Sequence, residues 1–232
     1  MIKKDLDSHL RTNFSAHKKT LTDLSMRANG DTSLVIDNSI LYDFDKISQS
    51  FYSPNNYPAS ADCINATGKE VVLIEFKSGF KQKITKDSIQ KDKFSCTEVQ
   101  DRDFYCQSYW NLFFKNQKNE RKILINSIIF KAIDSYFTLK KHMICKCESI
   151  EKKIPINLFI VIDEDPINSM IDALGGFPKN QKNTSFVEIS EALKRVDLIT
   201  NSENDPIYNR VKVMSTSAFL TQVQRGAIPT LE

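Results

Sequence analysis

The chain is poor in the residues around which several common chemistries are built. Its six glycines never gather into a phosphate-cradling loop, so the sequence offers no ATP hydrolysis. Its three histidines, His9, His17 and His142, stand apart from any serine or cysteine nucleophile, which leaves a hydrolase triad without support. Five cysteines are an odd number with no repeated CxxC, a pattern that suits reduced thiols better than a disulfide framework. His142, Cys145 and Cys147 fall one ligand short of a tetrahedral zinc set. No stretch approaches the roughly 18 consecutive apolar residues that a membrane helix needs, and MIKKDLDSHL has no apolar signal core, so the expectation is a cytoplasmic protein with no membrane partner.

What is present is an ordinary globular composition, 41% hydrophobic and 26% charged over 232 residues, enough for one sizeable core with an appendage. The net charge of +3 conceals an asymmetry. Residues 77–160 hold 17 basic and 9 acidic side chains, a local +8, whereas the segments before and after carry −2 and −3. A concentrated basic segment is the electrostatic footprint of a nucleic-acid partner, although a solvated lysine-rich face has the same composition.

Periodicity supplies the organisation. Leu6, Leu10, Phe14, Leu21 and Leu24 recur at helical spacing, predicting one N-terminal helix that ends at Asn29-Gly30-Asp31. SLVID and ILYDFDKI read as short strands, and SQSFYSPNNYPAS as a loop. Asp62–Asn65 and Glu70–Lys77 flank Ala66-Thr67-Gly68-Lys69, a turn with glycine where positive φ is easiest, so they form an antiparallel hairpin. A lysine-rich connection and an aromatic cluster with Tyr105, Tyr109 and Trp110 follow, and the cluster's structural state stays open. Residues 121–146 repeat apolar positions every three or four residues and read as a long helix. INLFIVID is apolar on both faces, as a central strand would be, and INSMIDAL, FVEISEALKRV and NRVKVMSTSAFLTQV read as shorter helices. Helix, three or four strands, helix and strand together predict an α/β (α+β) domain, a mixed central sheet flanked by helices.

The hairpin also carries the chemistry. Along a strand, Val71, Leu73, Glu75 and Lys77 share one face, so an acid and an amine project together from the end of an apolar run. With a symmetric turn, Asp62 lies opposite Leu73 and diagonal to Glu75, and two carboxylates converge. Such a pair suits a hard divalent cation, Mg²⁺ or Mn²⁺, which takes one or two carboxylates and completes its shell with water and phosphate oxygens. Lys77 is then placed to orient a nucleophile or neutralise developing charge. Two other acid-x-Lys triplets, Glu120-Arg121-Lys122 and Glu151-Lys152-Lys153, do not end an apolar strand.

Asp62, twelve residues, then Glu75-Phe76-Lys77, on a hairpin between a leading helix and a long following helix, resembles the PD-(D/E)XK nuclease superfamily over residues 1–165. Ala61 stands where the motif's proline normally precedes the aspartate, and Pro58 lies further back. The resemblance implies a restriction endonuclease-like core at 1–165, with 166–232 a small helical C-terminal extension. It implies metal ligation by Asp62, Glu75 and the backbone carbonyl of Phe76, and a catalytic Lys77. Asp45 is the stand-in for the acid that the family carries on its first helix. Lys131, Lys140 and Lys141, on the polar side of the long helix, are weaker candidates for phosphate contacts, with a solvated face as the alternative. The expected function is metal-dependent hydrolysis of phosphodiester bonds, in DNA ahead of RNA, in bacterial defence or genome processing. The alternative is a catalytically inactive member of the fold that binds nucleic acid or protein. The partners expected are nucleic acid and, beyond it, a second copy of the chain or a partner protein.

Overall fold

The structure, a computed structural model, describes residues 5–26, 32–80, 122–147, 154–163, 185–195 and 207–231. Short apolar runs separated by polar turns build one six-stranded mixed sheet: β1 (Lys18–Thr20), β2 (Ile40–Asp43), β3 (Cys63–Ala66), β4 (Val71–Lys77), β5 (Ile156–Ile162) and β6 (Arg210–Ser215), adjacent in that order. The first four strands form an antiparallel meander, and β4, β5 and β6 run parallel. Parallel neighbours require a crossover, and a long helix, α4 (residues 122–138), lies in the connection from β4 to β5. Every residue of β5 is buried, as a central strand covered on both faces must be.

Alternation sorts the side chains into two cores. On one face Ile64, Val71, Leu73, Leu158 and Ile160 pack with Leu6 and Leu10 of α1 (Leu6–Asn13), Phe44 and Ile47 of α3 (Phe44–Gln49) and Ile128 and Ala132 of α4. The same cluster takes Ile189 and Leu193 of α5 (Ser185–Arg195). On the other face Cys63, Val72, Ile74, Phe76, Phe159 and Val161 meet Leu21 of α2 (Leu21–Leu24) and Phe219 and Val223 of α6 (Thr216–Gln224). Truncating a fully buried isoleucine or leucine here to alanine carries the usual core cost of about 2–5 kcal/mol. The helices begin where side chains satisfy their free N–H groups: Asp5 accepts from Ser8 N at 2.8 Å, Asp43 from Lys46 N and Ser215 from Ala218 N.

Several expectations are corrected. The N-terminal stripe is not one helix: α1 stops at Asn13, a 3-10 turn covers Ser15–His17, and Lys18–Thr20 extends to pair with β2. Lys19 meets Asp43 across that pair at 2.7 Å, and Thr20 caps the short α2, so pairing and capping override the periodic signal. ILYDFDKI splits after Asp43, whose carboxylate starts α3. SLVID forms no strand; its one ladder contact is the bridge from Ser33 to Met26. Gly68 takes no positive φ, and the turn is shifted: it is closed by Thr67, whose N–H donates to the Glu70 carbonyl at 2.8 Å, rather than by Ala66 opposite Lys69. The α-helix of 122–138 gives way to a π-helical turn, Leu139–Met143, and a 3-10 turn, Ile144–Lys146. NRVKVMSTSAFLTQV is strand and then helix: Arg210–Ser215 adds to β5, and Ser215 caps α6. Leu231 N bonds Ile40 O, so the chain's end returns to β2. The Asn29-Gly30-Asp31 stop, the lysine-rich connection, the aromatic cluster and INSMIDAL lie outside the described residues. Among the described residues no helix is long and apolar enough to cross a membrane.

Candidate functional site

Why an apolar strand ends in Glu75-Phe76-Lys77 becomes clear from the register. β3 and β4 pair Cys63 with Ile74 and Ala66 with Val71, so one step further Asp62 stands opposite Glu75 rather than opposite Leu73. The hairpin has slipped by two residues from the symmetric turn. Because side chains alternate with period two, that slip keeps Asp62 on the Glu75 face.

Both carboxylates converge on one cation, and it is a side chain. Lys131 of α4 places Nζ 3.0 Å from Asp62 Oδ1 and 2.9 Å from Glu75 Oε2. Asp62 Oδ2 accepts the Phe76 N–H at 2.6 Å. A strand residue sends its N–H and C=O to the same side, so the Phe76 carbonyl faces the Asp62 end of the hairpin as well. Lys77 Nζ lies 4.0 Å from Glu75 Oε1, and that oxygen is buried without a hydrogen-bond partner. Glu75 is 2% exposed, against 23% for the Asp62 side chain and 25% for that of Lys131. A cavity of about 350 Å³ is lined by Asp62, Lys77 and Lys131 together with Leu24, Leu34 and Leu124.

Neighbouring elements fix these positions. Ser135, one turn beyond Lys131 on α4, accepts the Ala61 N–H on its hydroxyl at 2.7 Å, which ties the residue before Asp62 to the helix. Proline has no N–H and could not make this bond, so Ala61 serves a structural use that a proline at 61 could not. Past Lys77 the strand is held by Asp163, which accepts the N–H groups of Gly79 and Phe80 at 2.9 and 2.8 Å. Gly79 adopts φ +102°, a conformation that favours glycine, and a Cβ there would sit 3.2 Å from Leu124.

Burial controls the titration of the group. It raises Glu75 from its ordinary value to about 8, helped by the adjacent Asp62 charge and opposed by Lys131. Asp62 is raised for the same first reason, against Lys131 and the Phe76 N–H. For Lys131 burial works against the charge, but Glu75 and then Asp62 outweigh it and hold the ammonium above its ordinary value.

Asp62, Glu75 and Lys77 are therefore brought together, and Asp45 is not. Its carboxylate accepts from Gln49 Nε2 at 2.6 Å and Ser60 Oγ at 2.8 Å, which makes it a brace for the loop after α3. Lys140 and Lys141 are exposed, and Lys140 lies over the Tyr136 ring at 5.4 Å. Lys131, expected on a polar helix face, belongs to the centre of the group. The signal was present in its spacing: it lies three residues after buried Ile128 and four before buried Ser135, on the helix face that meets the sheet.

Among the described residues no three His, Cys, Asp or Glu side chains cluster as a ready metal cage. The donors here still fit a hard divalent ion. They are two carboxylates, one with a buried oxygen lacking a partner, and a cavity with room for water and phosphate oxygens. Compared with known proteins, the chain matches no family model, no curated protein and no solved structure.

Proposed function

We propose that the protein is a metal-dependent nuclease with a restriction endonuclease-like core, hydrolysing phosphodiester bonds in DNA ahead of RNA. One observation carries this reading: Asp62, Glu75 and Lys77 meet at the open end of β4, where the buried Glu75 Oε1 has no hydrogen-bond partner. The order of elements supports it, since a helix, an antiparallel meander, a long helix and a parallel strand follow one another as the PD-(D/E)XK resemblance implies.

In this reading Asp62 and Glu75 hold Mg²⁺ or Mn²⁺, with the Phe76 carbonyl beside them. When bound, such an ion polarises a phosphoryl oxygen and makes water a better nucleophile near neutral pH. The protein's own part is positional. Glu75 is locked on the central sheet, Asp62 is fixed by the Phe76 N–H, and Lys77 extends from the same face to orient water or neutralise charge on the phosphate. Leu24, Leu34 and Leu124 wall the cavity and limit bulk water around the reacting group.

The test is cleavage of supercoiled plasmid, single-stranded DNA and RNA by the purified protein, with Mg²⁺, with Mn²⁺ and with EDTA. Metal-dependent cutting that disappears in both Glu75→Ala and Lys77→Ala is expected. Undiminished cutting by both variants refutes the assignment. The Lys131 contact with both acids favours one second reading, a non-catalytic member of the fold in which a Lys131-Asp62-Glu75 ion group is structural and the protein binds nucleic acid or a partner. That scaffold would bind no divalent ion at these residues.

A further inference from the structure

Three of the four carboxylate oxygens at the site are already engaged. Lys131 holds Asp62 Oδ1 and Glu75 Oε2, the Phe76 N–H holds Asp62 Oδ2, and only Glu75 Oε1 lacks a hydrogen-bond partner. An ion bound by both carboxylates needs an oxygen from each, and each Asp62 oxygen already has a donor. Of the two, the one held by the Phe76 N–H is fixed by the backbone of β4. The other is held by an ammonium on a flexible stem whose side chain is a quarter exposed and lines the cavity. Formal charge points the same way. With both carboxylates ionised, as an ion bound by both requires, they and Lys77 and Lys131 sum to zero, so a dication bound without moving either lysine would leave +2 in a half-buried site, where like charges repel strongly.

We propose that Lys131 is the resident counter-ion of this site and that a divalent ion binds by displacing its ammonium from Asp62 and Glu75. The proposal rests on the metal-nuclease reading and adds a competitor for the metal position that belongs to the chain itself. The two acids then stay paired with Lys131 until an ion arrives, and the intrinsic affinity for the ion is lowered by the work of expelling Lys131. The displaced ammonium remains in the cavity, within reach of a phosphate oxygen, where its charge serves the substrate rather than the acids.

Calorimetric titration of Mn²⁺ into the full chain and into Lys131→Met and Lys131→Gln tests the idea. Removing the ammonium is expected to tighten Mn²⁺ binding at least about tenfold in either folded variant. Affinity equal to or weaker than wild type in the variants overturns the displacement and leaves the metal reading standing. Absence of Mn²⁺ binding in all three proteins overturns both. A measurement on the unaltered protein guards against misfolded variants: reductive methylation of lysines, read by peptide mass spectrometry, with and without saturating Mn²⁺. Lys131 is expected to become several-fold more reactive with Mn²⁺ while exposed Lys140 and Lys141 do not change. Unchanged Lys131 labelling in the Mn²⁺-bound protein overturns the proposal.

Discussion

Glu75→Gln keeps the shape of the side chain and removes its titration, so it isolates what burial does to this carboxyl. In the folded protein burial, reinforced by Asp62, raises Glu75 from 4.5 to about 8. Between these values the native state holds a proton that the unfolded chain has released. Stability therefore falls as pH rises, by up to about 1.4 kcal/mol per pH unit for one group. The Glu75 contribution is complete below about pH 4.5 and is lost as pH climbs through about 8. The amide of the Glu75→Gln variant has no such dependence. From pH 5.5 to 7.5 the wild type should thus lose roughly 2–3 kcal/mol relative to the variant, a large part of a typical folding free energy. Urea unfolding of both proteins at pH 5.5, 6.5 and 7.5 measures this directly, since Lys131 stays charged throughout and the difference between the curves reports Glu75. A gap that stays constant, or a wild type that gains stability with pH, would mean that Lys131 dominates burial and keeps Glu75 ionised, and the electrostatic account of the site would be wrong.

Lys77→Ala should cut metal-dependent cleavage by at least about a hundredfold, the scale of removing one charge-stabilising donor. Its melting temperature should hardly move, because among the described residues its one ion-pair contact, with Glu75 Oε1, is as long as 4.0 Å. Asp45→Ala should leave cleavage intact while lowering stability by about 1–2 kcal/mol in a thermal melt, through the lost Gln49 and Ser60 bonds. Ser135→Ala strips the buried Ala61 N–H of its acceptor; a loss of about 1–3 kcal/mol is expected, with reduced cleavage as Asp62 loosens, and the two are separated by assaying well below the melting temperature.

The hairpin and its acids were legible in the sequence because a strand's period of two is insensitive to a slip of two residues, which leaves Asp62 facing Glu75. β5 was legible because INLFIVI is short, rich in β-branched residues and apolar on both faces, as a strand buried on both sides is. The N-terminal helix is cut short where cross-strand pairing and a threonine cap override a helical stripe, and β6 is hidden because Val211, Met214 and Ala218 keep helical spacing across the boundary between strand and helix. Lys131 reads as a solvated side chain because lysine is rarely buried; only its spacing from Ile128 and Ser135 argues otherwise. The role of Asp163 was not legible because it depends on a parallel register that no local pattern encodes.

The two ends of β4 carry different residues among those described. The Thr67–Glu70 loop sits at the start of β4, and the acid and amines at its other end, a span of about 20 Å at the usual rise per strand residue. A reporter dye or affinity tag spliced into that loop would ride at the strand end away from Asp62, Glu75 and Lys77, so the hairpin offers an attachment point from which the proposed ion and substrate binding can be watched without touching those side chains.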